Sequence, residues 1–216
     1  MLLYFKDKNF YEYPSTIVSN ELTDRFYKSV YTNSSEMELY YALTYMKEHS
    51  ISVLSAIFPI TELSVQYGRE EDINKEFCDN NHIHYRYEER GGGCMVLCPD
   101  TIIFLDIYPT DNYLRQHSFV NEFVKWLKQK GIDAFTNNND VMIGNKKVIG
   151  TISEILPKPY NNWVYFGAVI SINSDPELIN RICTKPMNKI PGALSDYGLT
   201  TEEVMNWTLE WFNANQ

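Results

Sequence analysis

Apolar residues recur every three or four positions in some stretches and alternate with polar ones in others, so the pattern predicts both helices and strands. Phe119, Phe123, Val124 and Leu127 share one helical face, and Gly131 gives that helix a stop. Val204, Trp207 and Trp211 make the apolar side of a last helix, which Thr200-Thr201-Glu202-Glu203 opens as a capping box. Leu22, Phe26 and Val30 recur every fourth residue within 21–31. Ser34 caps a second N-terminal helix whose stripe of Leu39, Leu43 and Met46 runs to His49. Glu71 to Asn80 reads as another helix, and Asp175 and Pro176 open a short one to Arg181.

Strand candidates lie between these helices. They cover 51–60, closed by Pro59, then 62–67, 82–87, an apolar run ending at Tyr108-Pro109, and 163–173. The first twenty residues suit one or two edge strands or an ordered arm. Asp133–Phe135, Asp140–Ile143 and Lys147–Ile155 should be neighbours, with a two-residue hairpin turn at Gly144-Asn145. Thr110 to Ser118 reads as a connector and Lys185 to Ala193 as a proline-punctuated loop. Helices and strands are mixed and do not alternate strictly, which predicts an α+β fold with a mixed, mostly antiparallel sheet and flanking helices.

At 216 residues the chain suits one domain, and its 14% aromatic content predicts a thickly packed core. The net charge of −9 argues against a nucleic-acid partner or an anionic membrane surface, since both need a basic field. The start, M-L-L-Y-F-K-D-K, is too soon interrupted by charge to read as a secretion signal, and no uncharged run reaches membrane-spanning length. Cys78, Cys94, Cys98 and Cys183 have neither metal-site nor disulfide-framework spacing, so a reduced cytoplasmic location is expected and no metal ligand set is assigned.

Two stretches carry the candidate chemistry. Arg90-Gly91-Gly92-Gly93 leads into an apolar strand, and three successive residues without Cβ can present bare amide N–H groups to an anion. A glycine triplet alone also suits a flexible turn. The hairpin N-D-V-M-I-G-N-K-K-V-I-G then carries Asn139, Asp140, Lys147 and Gly150, where Gly150 would let its strand pack against the glycine loop. Asn139 and Asp140 equally suit a plain turn. Cys94 and Cys98 read as buried, inert thiols in the wall of the suspected pocket.

These segments resemble a known family. R-G-G-G-C-M-V-L-C-P is similar to the glycine loop of the lipoate and octanoate protein transferases, with Arg90, Gly91, Gly92 and Pro99 in register. The Gly91–Gly93 triplet also matches the loop of lipoate–protein ligases. N-D-V-M-I-G-N-K-K-V-I-G resembles the ligase Asn-Asp … Lys-Lys-x-x-Gly block. V-Q-Y-G-R matches at Gly68 and Arg69, and F-G-A-V-I-S-I-N matches at Gly167 and Asn173. The chain departs from the pattern where the arginine pair falls on Tyr87 and Glu88, the threonine on Met95, and two histidines on Leu97 and Phe166. Lys185 stands where octanoyltransferases carry a catalytic cysteine. Arg69 and Arg86 read as surface or ion-pair residues.

The resemblance implies a class II biotin/lipoyl synthetase-like, cofactor-transferase fold, with residues 1–216 forming a single catalytic domain and no C-terminal accessory domain. It implies a carboxylic acid, lipoate or octanoate, activated with ATP and Mg²⁺ as an acyl-adenylate and passed to a lysine of a lipoyl-type acceptor domain. A separate accessory chain is an implied partner. Lys147 would be the catalytic residue, with Arg90, Gly91, Gly92, Gly93, Asn139, Asp140, Gly150 and Gly167 binding ligand. Met95, Val96, Leu97 and Ile102–Phe104 would line an acyl tunnel, and either Lys125, Lys128 and Lys130 or Lys185 with Lys189 would meet the acidic acceptor. The alternative is a degenerate member that binds an acyl ligand or a protein without turnover.

Overall fold

The computed structural model describes residues 2–6, 9–10, 46–48, 50, 53–87, 93–112, 114–156, 158, 160–187 and 189–215. The helices expected at 21–31 and 34–49 lie outside the described residues, apart from a helical turn at 46–48.

The centre is β7 (Ile102–Pro109), whose near-continuous apolar run is buried on both faces. It pairs antiparallel with β3 (Leu54–Pro59) on one side and β11 (Trp163–Ile170) on the other. β11 pairs antiparallel with β10 (Lys146–Ile155), which is followed by β9 (Asp140–Ile143) and β8 (Ala134–Asn137). β1 (Leu2–Lys6) adds in parallel beside β3, and β2 (Asn9–Phe10) closes that edge. The two-residue β12 (Ile190–Pro191) pairs in parallel with the start of β10. The sheet is therefore mixed and mostly antiparallel, as its sequence pattern requires. A small second sheet holds β4 (Ser64–Tyr67) between β5 (His84–Tyr87) and β6 (Cys94–Leu97).

Two turns fix the β8–β9–β10 meander. Asn138 and Asn139 both have positive φ, the signature of a two-residue type I′ hairpin turn, and Gly144 takes φ +58 at the next turn. The core lies between the large sheet and two helices, α2 (Arg115–Gln129) and α4 (Thr201–Ala214). There Phe119 of α2 stacks on Phe104 at 4.7 Å and meets Trp211 of α4 edge-on at 5.0 Å, while Phe123 meets Trp207 at 4.7 Å. Such aromatic pairs add to area burial.

Three of the boundaries that differ from the pattern are explained by contacts. Helix α2 begins at Arg115, a turn before its apolar stripe, because Arg115 is buried on Asp106. The helix expected from Glu71 is instead a 3₁₀ turn, Glu70–Asp72, followed by α1 (Lys75–Asn80). Ile73 is drawn into an extended bridge with Cys183, so helix can start only after Asn74, whose side chain caps Phe77 N–H at 3.0 Å. Finally, β11 stops at Ile170 and not Asn173, as the Ser171 and Ile172 carbonyls accept from Leu194 N–H and Ser195 N–H and no longer join a neighbouring strand. The short helix α3 (Pro176–Ile182) is capped by Asp175, as its sequence predicts.

Candidate functional site

A cavity of about 610 Å³ opens between the two sheets. β10 and β11 supply Lys147, Gly150 and Val169, and β6 with its approach supplies Gly93, Cys94, Met95 and Val96. The segment after β11 closes the far side with Ile179, Lys185, Met187 and Lys189, and Arg69 and Asp72 reach in from the turn after β4. The strand period of two explains this division. On β11, Val169 faces the cavity, whereas Phe166 and Ala168 are buried in the aromatic core.

Lys147 projects from β10 over Gly150. A Cβ on residue 150 would lie 2.8 Å from Lys147 Cε and 2.9 Å from its Nζ, so the glycine leaves room for the ammonium end. This replaces the expectation that Gly150 packs its strand against the glycine loop. Lys147 Nζ pairs with Asp140 Oδ2 at 3.0 Å. Asp140 is buried and also accepts from Lys189 Nζ at 2.8 Å and from Thr151 N–H at 3.2 Å. Asp140 thus acts as a counter-ion that positions two lysines. Its neighbour Lys146 points elsewhere and pairs with Asp196 at 3.0 Å.

At the other end, Lys185 pairs with Asp72 at 2.5 Å, and that hydrogen bond raises the Lys185 pKa, so it stays an ammonium ion. Cys183 Sγ donates to the Cys94 carbonyl at 4.0 Å, and the neighbouring Cys94 side chain holds the Cys183 thiol below the ordinary value while Cys94 itself is pushed up. Burial pushes Cys98 up as well. All are free thiols.

The other expected site residues divide. Arg90, Gly91 and Gly92 lie outside the described residues, while Gly93 lines the cavity and its carbonyl accepts from Gly68 N–H at 2.9 Å. Asn139 is a turn residue away from the cavity lining, with φ +65 and its carbonyl accepting from Thr151 Oγ1. Gly167 lies mid-sheet, where a Cβ would meet Ile152 Cγ2 at 3.1 Å and Leu105 Cδ2 at 3.5 Å, so its role is close strand packing. Of the expected acyl tunnel, Met95 and Val96 face the cavity. Leu97, Ile102 and Phe104 are instead fully buried, and Ile103 is buried outside the lining. Arg86 is buried, which leaves only the ion-pair half of its expected role.

Sequence reasoning missed Asp72, Ile179, Cys183 and Met187 as cavity residues, and placed Lys189 only on a docking face. What brings them in is the pairing of β12 with β10 and the Ile73–Cys183 bridge, both too short to leave a periodic signal.

The sequence matches the profile of the lipoyl protein ligase A/B catalytic domain over residues 64–212. The chain belongs to that family. A comparison with curated proteins gives no match. A solved lipoate-protein ligase A bound with ATP superposes with a TM-score of 0.62 at 16% identity, covering 75% of this chain and 72% of that one. A bi-partite lipoate protein ligase from Thermoplasma acidophilum, solved with its E2 lipoyl domain, gives 0.63 at 17% identity over 75% and 70%. P. falciparum LipL1 in complex with lipoate gives 0.65 at 12% identity, over 90% of this chain and 56% of that one. At these identities the likeness shows the fold, an α+β ligase-type fold with a mostly antiparallel sheet.

Three departures from the pattern that the resemblance gave can be placed in this fold. Leu97 and Phe166, where the resemblance would put histidines, are buried outside the cavity lining. Met95, where the resemblance would put threonine, faces the cavity and adds apolar surface there.

Proposed function

We propose that this lipoyl protein ligase family member activates lipoate or octanoate with ATP and passes the acyl group to a lysine amine on a lipoyl-type acceptor domain. One observation carries the reading. The cavity is lined by Arg69, Lys147, Lys185 and Lys189 against only Asp72 and Asp140, a cationic recess in a chain of net charge −9, beside an apolar wall of Met95, Val96, Val169 and Ile179. That combination suits a carboxylate with a hydrocarbon tail, and the phosphoryl oxygens of a nucleotide.

In this reading the acid's carboxylate attacks the α-phosphorus of ATP, forming an acyl-adenylate and releasing pyrophosphate. The acceptor's amine then attacks the acyl carbon, AMP leaves, and an amide remains. Lys147 serves both steps by countering charge on the reacting oxygens. Arg90, Gly91, Gly92 and Gly93 are proposed as further donors to the phosphoryl group. The cavity carboxylates are already ion-paired, and among the described residues no cluster of three His, Cys, Asp or Glu could hold a metal. These residues do not fit a protein-held metal site.

A separate accessory chain is a proposed partner, because the Thermoplasma relative is bi-partite. No described helix is long and apolar enough to cross a membrane. A reduced cytoplasmic location is proposed on the cysteine spacing. Incubation with ATP, lipoate or octanoate and a lipoyl domain, followed by intact-mass analysis, tests the reading. A mass gain on the domain is expected. Neither a mass gain nor an acyl-adenylate would leave the non-catalytic binding module.

A further inference from the structure

Lys189 shares a single carboxylate oxygen with Lys147. Its Nζ stands 2.8 Å from Asp140 Oδ2, and Lys147 Nζ stands 3.0 Å from the same atom. Lys189 also donates to the Asn137 carbonyl at 3.1 Å, so the β8–β9 hairpin helps fix its place. Ile190 and Pro191 pair in parallel with Lys146 and Lys147, which sets residue 189 beside the start of β10.

One carboxylate neutralises one ammonium group, so this trio carries a net positive charge toward the cavity. The Lys189 side chain is 23% exposed against 37% for Lys147, and the better-shielded ammonium acts more strongly on a nearby anion. A hydrogen-bonded carboxylate between two like charges also holds them together before a ligand arrives.

Resting on the ligase reading above, we propose that Lys189 is a second anion-holding residue. Lys147 and Lys189 grip separate oxygens of the ligand's carboxylate or phosphoryl group, and Asp140 sets their spacing. The ligand chemistry is an oxygen anion offering at least two acceptors.

Calorimetric titration of the full chain with ATP, and separately with lipoate, tests this in wild type, Lys189→Met and Lys189→Arg. Losing one charge-assisted hydrogen bond should weaken binding about tenfold or more in Lys189→Met, with Lys189→Arg within about threefold of wild type. Loss with ATP assigns Lys189 to phosphoryl oxygens and loss with lipoate assigns it to the carboxylate. Either supports the pair. Should the Met variant fail to fold, Lys189→Gln keeps hydrogen bonds to Asp140 and Asn137 without the charge and carries the same test. Wild-type binding with unchanged affinities in the uncharged variant overturns this inference and leaves the ligase reading standing. Wild-type protein that binds neither ligand removes both.

Discussion

Lys147 and Gly150 compete for one space: the side chain of the first fills the volume that a Cβ on the second would take, 2.8 Å from Cε and 2.9 Å from Nζ. Gly150 has no positive φ, so alanine fits its backbone and only the flexible lysine tip must move. Gly150→Ala should therefore lower ligand affinity and any acyl transfer about tenfold, while stability stays within about 0.5 kcal/mol of wild type. Paired titration and denaturant unfolding check both halves of that statement.

The buried pair of Asp106 and Arg115 ties β7 to the head of α2, with Nε donating to Oδ2 at 2.6 Å. Ser55 donates to the other carboxylate oxygen, and Arg115 also donates to the Asn215 carbonyl beyond α4. Asp106→Ala strips a buried guanidinium of its partner and should cost about 3–5 kcal/mol in denaturant unfolding. A loss under 1 kcal/mol would contradict this account of why α2 starts where it does.

Thr200 and Glu203 form the reciprocal box that opens α4, and Lys130 Nζ sits 2.9 Å from Glu203. Thr200→Ala should cost about 1 kcal/mol. The Lys130 hydrogen bond, and then the Thr200 N–H, hold the Glu203 carboxyl below its ordinary 4.5. Its folded pKa is depressed, so its stabilisation is fully present above 4.5 and disappears as pH falls through the lower value. Melting curves of wild type and Glu203→Gln should separate at neutral pH and converge in acid.

Cys183 is the cavity thiol whose pKa is lowered, by the neighbouring Cys94 side chain, while Cys78, Cys94 and Cys98 are all raised. Peptide mapping after brief iodoacetamide treatment should find Cys183 modified first, and bound lipoate should slow it. Equal labelling of all four cysteines would argue against a lowered Cys183 thiol.

Much of the architecture was legible because its long elements are strongly periodic. The Phe119–Leu127 stripe, the Thr200–Glu203 box and the Asp175 cap each specify their element from within. The hairpin carrying Asp140, Lys147 and Gly150 was legible for the same reason, since Gly144 fixes its turn. Sequence could not show what each side chain meets. Asn139 and Asp140 are adjacent, yet one closes a turn and the other is buried beneath two lysines. Asp72 and Lys189 join the cavity through single bridges between distant segments, which no local pattern encodes.

On the proposed ligase reading, this recess activates a carboxylic acid with ATP and needs Lys147 to do so. Lipoate-dependent exchange of labelled pyrophosphate into ATP isolates that step from acceptor and transfer. Wild-type protein should exchange label only when lipoate or octanoate is present, and Lys147→Met should lower the rate at least about hundredfold. Absence of exchange in wild type, or an undiminished rate in Lys147→Met, would contradict the account.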